Sequence, residues 1–420
     1  MPTQQKKRKH PPKKKATARL GNWLPDDPEA VQAWLDDLHE QMESREEVKL
    51  HPVIEEFQEL IDRDSIVRMY LTEAIRQVPR TRKHPKNIDH LLALLNEILT
   101  RAPEYDDTAM VGVPINAILD WCMVTPAGYA AFRYPGINAM LKKILNAWCE
   151  FLSSEASLYV LNDTPTGWKC PAAYRAMSMD DYQHDPDDPF WGFTSWNDFF
   201  TRRFKEGRRP IAEPKNDKII VSACEATPYA IKSHVQREDQ FWIKSQPYSL
   251  QDMLGGAELT DRFVDGTVYQ AFLSAMNYHR WHSPVSGKVV DAYVQEGTYY
   301  SEAESAGQDP EGPDDSQGYL AHVATRAIIF IEADDPMIGL LCVIPVGMGD
   351  VSSCVLEPRI KKGRRVKKGD ELGYFQFGGS TYCLVFRPGA VESFSLQALP
   401  QHDNPHPPLV LMGSHLATAP

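Results

Sequence analysis

The sequence has no run of 18 or more uncharged apolar residues, so no segment suits a bilayer-spanning helix, and its first twenty residues lack the apolar h-region of a secretory signal. It has no C-x-x-C pair either. The seven cysteines, at 122, 149, 170, 224, 342, 354 and 383, form an odd, scattered set without clustered histidines. That argues against a disulfide framework and against a structural metal site, and points to a reducing, cytoplasmic compartment. Of the 420 residues, 42% are hydrophobic and 24% charged. Those values are close to globular averages and exclude a disordered, collagen-like or coiled-coil chain over most of the length.

Acid is missing from the N-terminus. Residues 1–20 carry eight Lys or Arg and no Asp or Glu, so the other 400 residues hold 37 cations against 57 acids, a net −20 behind the overall −12. The block KKRKHPPKKK, in a disordered basic arm (1–25), has two readings. It is a nuclear-localisation or nucleic-acid arm, which would add a nuclear fraction, or a solvated tail with too little apolar surface to bury. The acidic body argues against nucleic acid as the main partner.

From 26 to 185 the pattern is that of a helical domain and a linker. Val31, Trp34, Leu35, Leu38 and Met42 recur at three- and four-residue steps, as do Val53, Ile54, Phe57, Leu60 and Ile61, and then Leu91 to Leu99. Ile137, Met140, Leu141, Ile144, Leu145, Trp148, Phe151 and Leu152 make a four-turn stripe. Each stripe needs a partner face, so this part serves packing, with Cys122 and Cys149 as core thiols. Residues 155–190, rich in Asp, Pro and Gly, read as a connection.

Beyond 215 the period changes. KIIVSA, TVYQAFL, GKVVDAYV, AIIFIEA, LLCVIPVG and TYCLVF are short β-branched or continuously apolar runs between Gly, Pro and Asp. They predict a mostly antiparallel sheet of buried strands. The fold class is α+β: a helical part first, a β-rich part over 186–400, and a tail over 401–420. The acidic stretch 302–318 reads as a surface loop; a calcium loop lacks its usual spacing.

Two motifs carry chemistry. Phe377-Gly378-Gly379-Ser380-Thr381 lies between two strand-like runs, where paired glycines open the Gly379 carbonyl to the Ser380 hydroxyl or simply form a hairpin or bulge. About a hundred residues earlier stands Tyr278-His279-Arg280-Trp281-His282-Ser283-Pro284, with two histidines in an extended or turn segment. A histidine base and a serine are parts of an activated nucleophile that lacks a carboxylate to orient the imidazole.

These motifs resemble those of the phosphatidylserine decarboxylase family, and within it the soluble fungal branch that includes an L-tryptophan decarboxylase. The similarity is carried, in order, by FTSWNDFFTRRFKEGRRPI (193–211), FWIKSQPYSLQDML (241–254), YHRWHSPVSG (278–287) and KKGDELGYFQFGGST (367–381). The resemblance implies a self-processing enzyme cut between Gly379 and Ser380, the new N-terminal residue becoming a covalent pyruvoyl cofactor that serves as an electron sink for decarboxylation. It assigns His282 to take the serine proton and His279 to decarboxylation, and keeps the two cleaved chains associated.

There are departures from the family pattern. Where the family has Pro-x-Asp-Gly, this chain reads Ser222-Ala223-Cys224-Glu225-Ala226, so Glu225 takes the place of the orienting carboxylate from a longer side chain. Ala275 and Asn277 stand where many members have Pro and Asp, which weakens the case for lipid-type substrate contacts. The implied substrate is a free aromatic L-amino acid, tryptophan first. The alternatives are decarboxylation of phosphatidylserine, which needs access to a bilayer that the acidic body disfavours, and a non-maturing scaffold.

Overall fold

A computed structural model describes residues 28–43, 49–79, 84–106, 113–239, 248–274, 276–302, 316–350, 353–376, 380–401, 404 and 407–420. The basic arm, Gly379 and most of the acidic stretch lie outside the described residues.

The helices are α1 (Pro28–Glu43), α2 (Pro52–Arg63), α3 (Ser65–Arg76), α4 (Ile88–Ile98), α5 (Pro114–Met123), α6 (Pro126–Ala131) and α7 (Pro135–Leu152). Proline opens α2, α5, α6 and α7, where its missing N–H costs nothing. Asp64 ends α2 and caps α3, its carboxylate accepting from the amides of Ile66 (2.9 Å) and Val67 (3.2 Å). Residues 137, 140, 141, 144, 145, 148 and 152 of α7 are all buried, each large apolar side chain contributing about 1.5–3 kcal/mol. The stretch expected to be a connection is instead packed. Trp168, Met177, Met179, Trp191, Trp196 and Phe199 share one core with the helices, so this packing runs unbroken across residue 185. Two short helices lie in this region, α8 (Pro171–Ala176) and α9 (Trp196–Phe200).

The β-rich part has three antiparallel sheets. Its strands are β1 (Ile219–Val221), β2 (Thr227–Ser233), β3 (Thr267–Leu273), β4 (Arg280–His282), β5 (Gly287–Gln295), β6 (Arg326–Ala333), β7 (Leu340–Gly347), β8 (Cys354–Leu356), β9 (Arg365–Val366), β10 (Glu371–Phe375), β11 (Ser380–Phe386), β12 (Ser393–Phe394) and β13 (His415–Thr418). The main sheet runs β2-β3-β11-β7-β6-β5-β9; the others are β4-β10-β8 and β1-β13-β12. The helices α10 (Leu250–Met253) and α11 (Gln317–Val323) pack on one face of the main sheet.

Along the central strands the side chains alternate between two cores. Leu341, Val343, Tyr382, Leu384 and Phe386 enter one, Cys342, Ile344, Cys383 and Val385 the other. Both faces are covered, which is why these strands read as continuous apolar runs rather than as an alternation.

Candidate active site

Ser380 opens β11, with Leu273 of β3 and Gly347 of β7 as its register partners. Alternation puts it on the face of Tyr382 and Leu384, toward the core that also holds Trp281 of β4 and Phe375 of β10. It is fully buried, and its Oγ makes no hydrogen bond among the described residues. The adjacent hydroxyl behaves differently. Thr381 Oγ1 donates to the Ala271 carbonyl (2.8 Å) and accepts from Gln270 Nε2 (3.2 Å). A buried hydroxyl left without a partner costs about 1–3 kcal/mol, so it calls for an explanation in chemistry.

The strands on either side of the segment 376–379 are not hairpin partners. β10 pairs with β4 and β8, whereas β11 pairs with β3 and β7, so the chain crosses from one sheet to another between 375 and 380. The connection from β3 to β4 makes the same crossing in the opposite direction. Leu273 opposite Ser380 marks one end of this antiparallel pair, and the Phe375 amide donating to the His279 carbonyl (2.9 Å) marks the other. Two side chains hold the crossings. Arg202 Nη2 donates to the Met276 carbonyl (2.9 Å), its guanidinium lies 4.4 Å over Tyr182, and Cys149 Sγ on α7 donates to Gln376 Oε1 (3.3 Å).

His279 is buried, with its ring stacked on Phe200 at 4.1 Å and Trp196 continuing the stack at 5.2 Å. His282 lies three residues further, about 10 Å along an extended chain. Its Nδ1 is 2.8 Å from the Gly369 carbonyl and its Nε2 is 2.9 Å from the Tyr278 hydroxyl. A carbonyl only accepts, so Nδ1 carries the hydrogen and Nε2 accepts from Tyr278. Burial lowers the His282 pKa, which keeps the imidazole neutral. Trp281 enters the core between the sheets, so alternation turns His282, with Arg280, to the other face of β4.

Glu225 is buried and paired with Arg209 through Nε, and Arg209 Nη1 reaches Asp181 Oδ2 at 2.8 Å. Burial pushes the Glu225 carboxyl up from its ordinary value, against the pull of Arg209. No hydrogen bond among the described residues links Glu225 to His282. The carboxylate is close enough to Tyr278 to add to the burial and the Glu371 charge that keep that phenol protonated.

The fold therefore joins His282 to Tyr278 and Glu225 to Arg209, and sets Phe375 against His279 and Ser380 against Leu273. Tyr278 and Arg209 stood inside the recognisable blocks without any sign of their contacts. Among the described residues, no helix is long and apolar enough to cross a membrane.

A family model described as phosphatidylserine decarboxylase matches residues 196–417, and a second of that description matches 51–177. The chain is 40% identical to the decarboxylase iboD of Amanita muscaria, over 67% of its own length and 86% of that protein's. It is 35% identical to an L-tryptophan decarboxylase of Psilocybe cyanescens, over 90% of each chain. It is 33% identical to phosphatidylserine decarboxylase proenzyme 3 of Schizosaccharomyces pombe, over 56% of this chain but 23% of that one.

Proposed function

The chain belongs to the phosphatidylserine decarboxylase family of carboxy-lyases, and from that premise we propose that it matures itself between Gly379 and Ser380 and then decarboxylates a free aromatic L-amino acid, L-tryptophan before tyrosine or phenylalanine. The observation that carries this reading is the Ser380 hydroxyl, fully buried and without a hydrogen-bond partner among the described residues, at a crossing between two sheets. A hydroxyl in that state suits attack on the preceding carbonyl, and suits a position where serine is to be converted to a pyruvoyl group. When formed, that group supplies an electron sink for the charge left as carbon dioxide departs.

The chain's own residues have distinct tasks. His282 offers Nε2 as base, its tautomer fixed by the Gly369 carbonyl. Tyr278 stands on that nitrogen and must yield it or pass a proton through its own hydroxyl. Glu225, whose charge is felt at Tyr278, would add to the Glu371 and Asp370 charges that favour a protonated imidazole. His279, held against Phe200, serves decarboxylation in an aromatic setting that an indole or phenyl side chain extends.

The cut leaves chains of 379 and 41 residues. The shorter begins with β11, which lies between β3 and β7, and supplies β13, which pairs with β1. Removing it would open the main sheet down its middle, which supports continued association. The seven cysteines are unpaired, in keeping with a cytoplasmic site of action.

The test is to purify the full chain, read its intact mass, and incubate it with L-tryptophan, L-tyrosine, L-phenylalanine and phosphatidylserine vesicles, identifying amines by mass spectrometry. Tryptamine from a cut protein supports the reading. Phosphatidylethanolamine as sole product transfers the substrate to the lipid, and full activity from an uncut chain removes the pyruvoyl mechanism.

A further inference from the structure

A buried carboxylate ties the helical part of the chain to the strand end beside Ser380. Asp350 is 2% exposed. Its Oδ1 accepts from the Ile115 amide (3.2 Å) and the Tyr300 hydroxyl (2.8 Å), and its Oδ2 accepts from the Asn116 amide (3.1 Å). Those amides open α5, a ten-residue helix whose own cap residue, Val113, gives no side-chain hydrogen bond. Asp350 therefore does the work of an N-cap from more than two hundred residues away, with its charge at the positive end of the helix.

The other end of the tie is the reacting strand. Gly347 closes β7 as the register partner of Ser380, and three residues later, after the buried Met348 and the positive-φ Gly349, the chain reaches Asp350. Tyr300 is itself placed by α7, where Asn138 Oδ1 accepts from the Tyr299 amide (3.1 Å) and Asn138 Nδ2 donates to the Gly297 carbonyl (3.0 Å). On the other flank of Ser380, Cys149 of α7 reaches Gln376. Helices thus hold the chain before the cleavage segment and the strand opposite it.

We propose that Asp350 is a positioning residue for self-cleavage, anchoring on α5 the end of β7 that pairs with Ser380. The proposal rests on the reading of Gly379–Ser380 as the bond that breaks. An attacking hydroxyl misplaced by about 1 Å can lose about a hundredfold in rate, so a loose β7 end is felt at Ser380. Among the described residues the groups facing the carboxylate are donors, namely two backbone amides of α5, the Tyr300 hydroxyl and Asp350's own amide, and no salt bridge reaches it. The anion matches these donors; the protonated acid sets its own O–H against one of them. Burial pushes the Asp350 carboxyl up to about 7, opposed by these donors, so its charge changes within the neutral range.

The experiment follows cleavage of the full chain by intact mass for wild type, Asp350→Asn and Tyr300→Phe, from pH 5.5 to 8.5. Folding is read as melting temperature in the uncleavable Ser380→Ala background, which separates it from maturation. Asp350→Asn, with its amide group set against α5 donors, is expected to cleave at least tenfold more slowly at pH 8 and to lose the rate step near pH 7. Tyr300→Phe, which keeps both helix contacts, is expected to stay within about threefold of wild type. Wild-type cleavage and an unchanged pH profile in Asp350→Asn overturn the proposal, as does a slowing that tracks a lowered melting temperature and disappears on cooling. A wild-type chain that never cuts at 379–380 instead overturns the reading beneath it.

Discussion

The Tyr278 hydroxyl lies 2.9 Å from His282 Nε2 and occupies the one ring nitrogen able to accept a proton, since Nδ1 is committed to the Gly369 carbonyl. This relationship separates two variants. His282→Ala removes the base and should leave the chain whole or slow its cutting by at least a hundredfold, because a serine hydroxyl is a poor nucleophile without an acceptor. Tyr278→Phe frees Nε2 and should mature at least as fast as wild type. A time course on denaturing gels checks both, and uncut Tyr278→Phe would show that the phenol relays the proton.

The pH dependence follows from the same residue. Burial lowers the His282 pKa in the fold below its ordinary 6.5. A group with a depressed folded pKa contributes stability above its unfolded pKa and loses it as pH falls through the folded value. The uncleavable Ser380→Ala protein should therefore hold its melting temperature from pH 8 down to about 6.5 with respect to this group, then lose stability on further acidification. His282→Gln in that background should lack this acid-side loss. Equal acid-side slopes in the two proteins would show that His282 does not titrate in this way.

Much of this was legible in the sequence, for identifiable reasons. Helical stripes announce themselves through a period of 3.6 and strands buried on both faces through short continuous apolar runs, so α1, α2, α4, α7 and six of the strands match runs visible in one dimension. Ser380 and the Tyr-His-Arg-Trp-His block, both picked out by local motifs, lie at neighbouring sheet crossings. Sheet membership was not legible. Nothing local tells that β10 and β11, four residues apart, belong to different sheets. The segment 155–190 reads as a connection because its Asp and Pro content masks Trp168, Met177 and Met179, whose packing depends on distant partners. Asp350 carried no signal, since an aspartate 235 residues from the helix it caps leaves no spacing to read.

Association of the two products can be tested from the sheet order. β11 contributes seven buried residues between β3 and β7. The matured protein should elute as one species under native conditions yet give two bands under denaturing ones. Dissociation should require global unfolding, so release of the shorter chain and loss of far-ultraviolet circular dichroism should share one denaturant midpoint. Release at lower denaturant would show that β11 is held only locally.

The last prediction concerns Glu225, whose carboxylate is paired with Arg209 rather than with an imidazole. Removing one partner of a buried ion pair leaves an uncompensated charge, at a cost of about 3–5 kcal/mol. Arg209→Met should therefore lower the melting temperature of the Ser380→Ala protein strongly, since it strands Glu225. Adding Glu225→Gln should recover much of the loss, because the two side chains are coupled and their separate effects do not add. Maturation is expected to respond differently. Glu225→Gln alone keeps the size of the side chain but removes the charge felt at Tyr278, so the imidazolium formed as Ser380 gives up its proton is less favoured. Cleavage should slow at least tenfold, and restoring stability through the double variant should not restore the rate. If the double variant cleaves as fast as wild type, the charge of Glu225 serves the ion pair alone and has no part in activating Ser380.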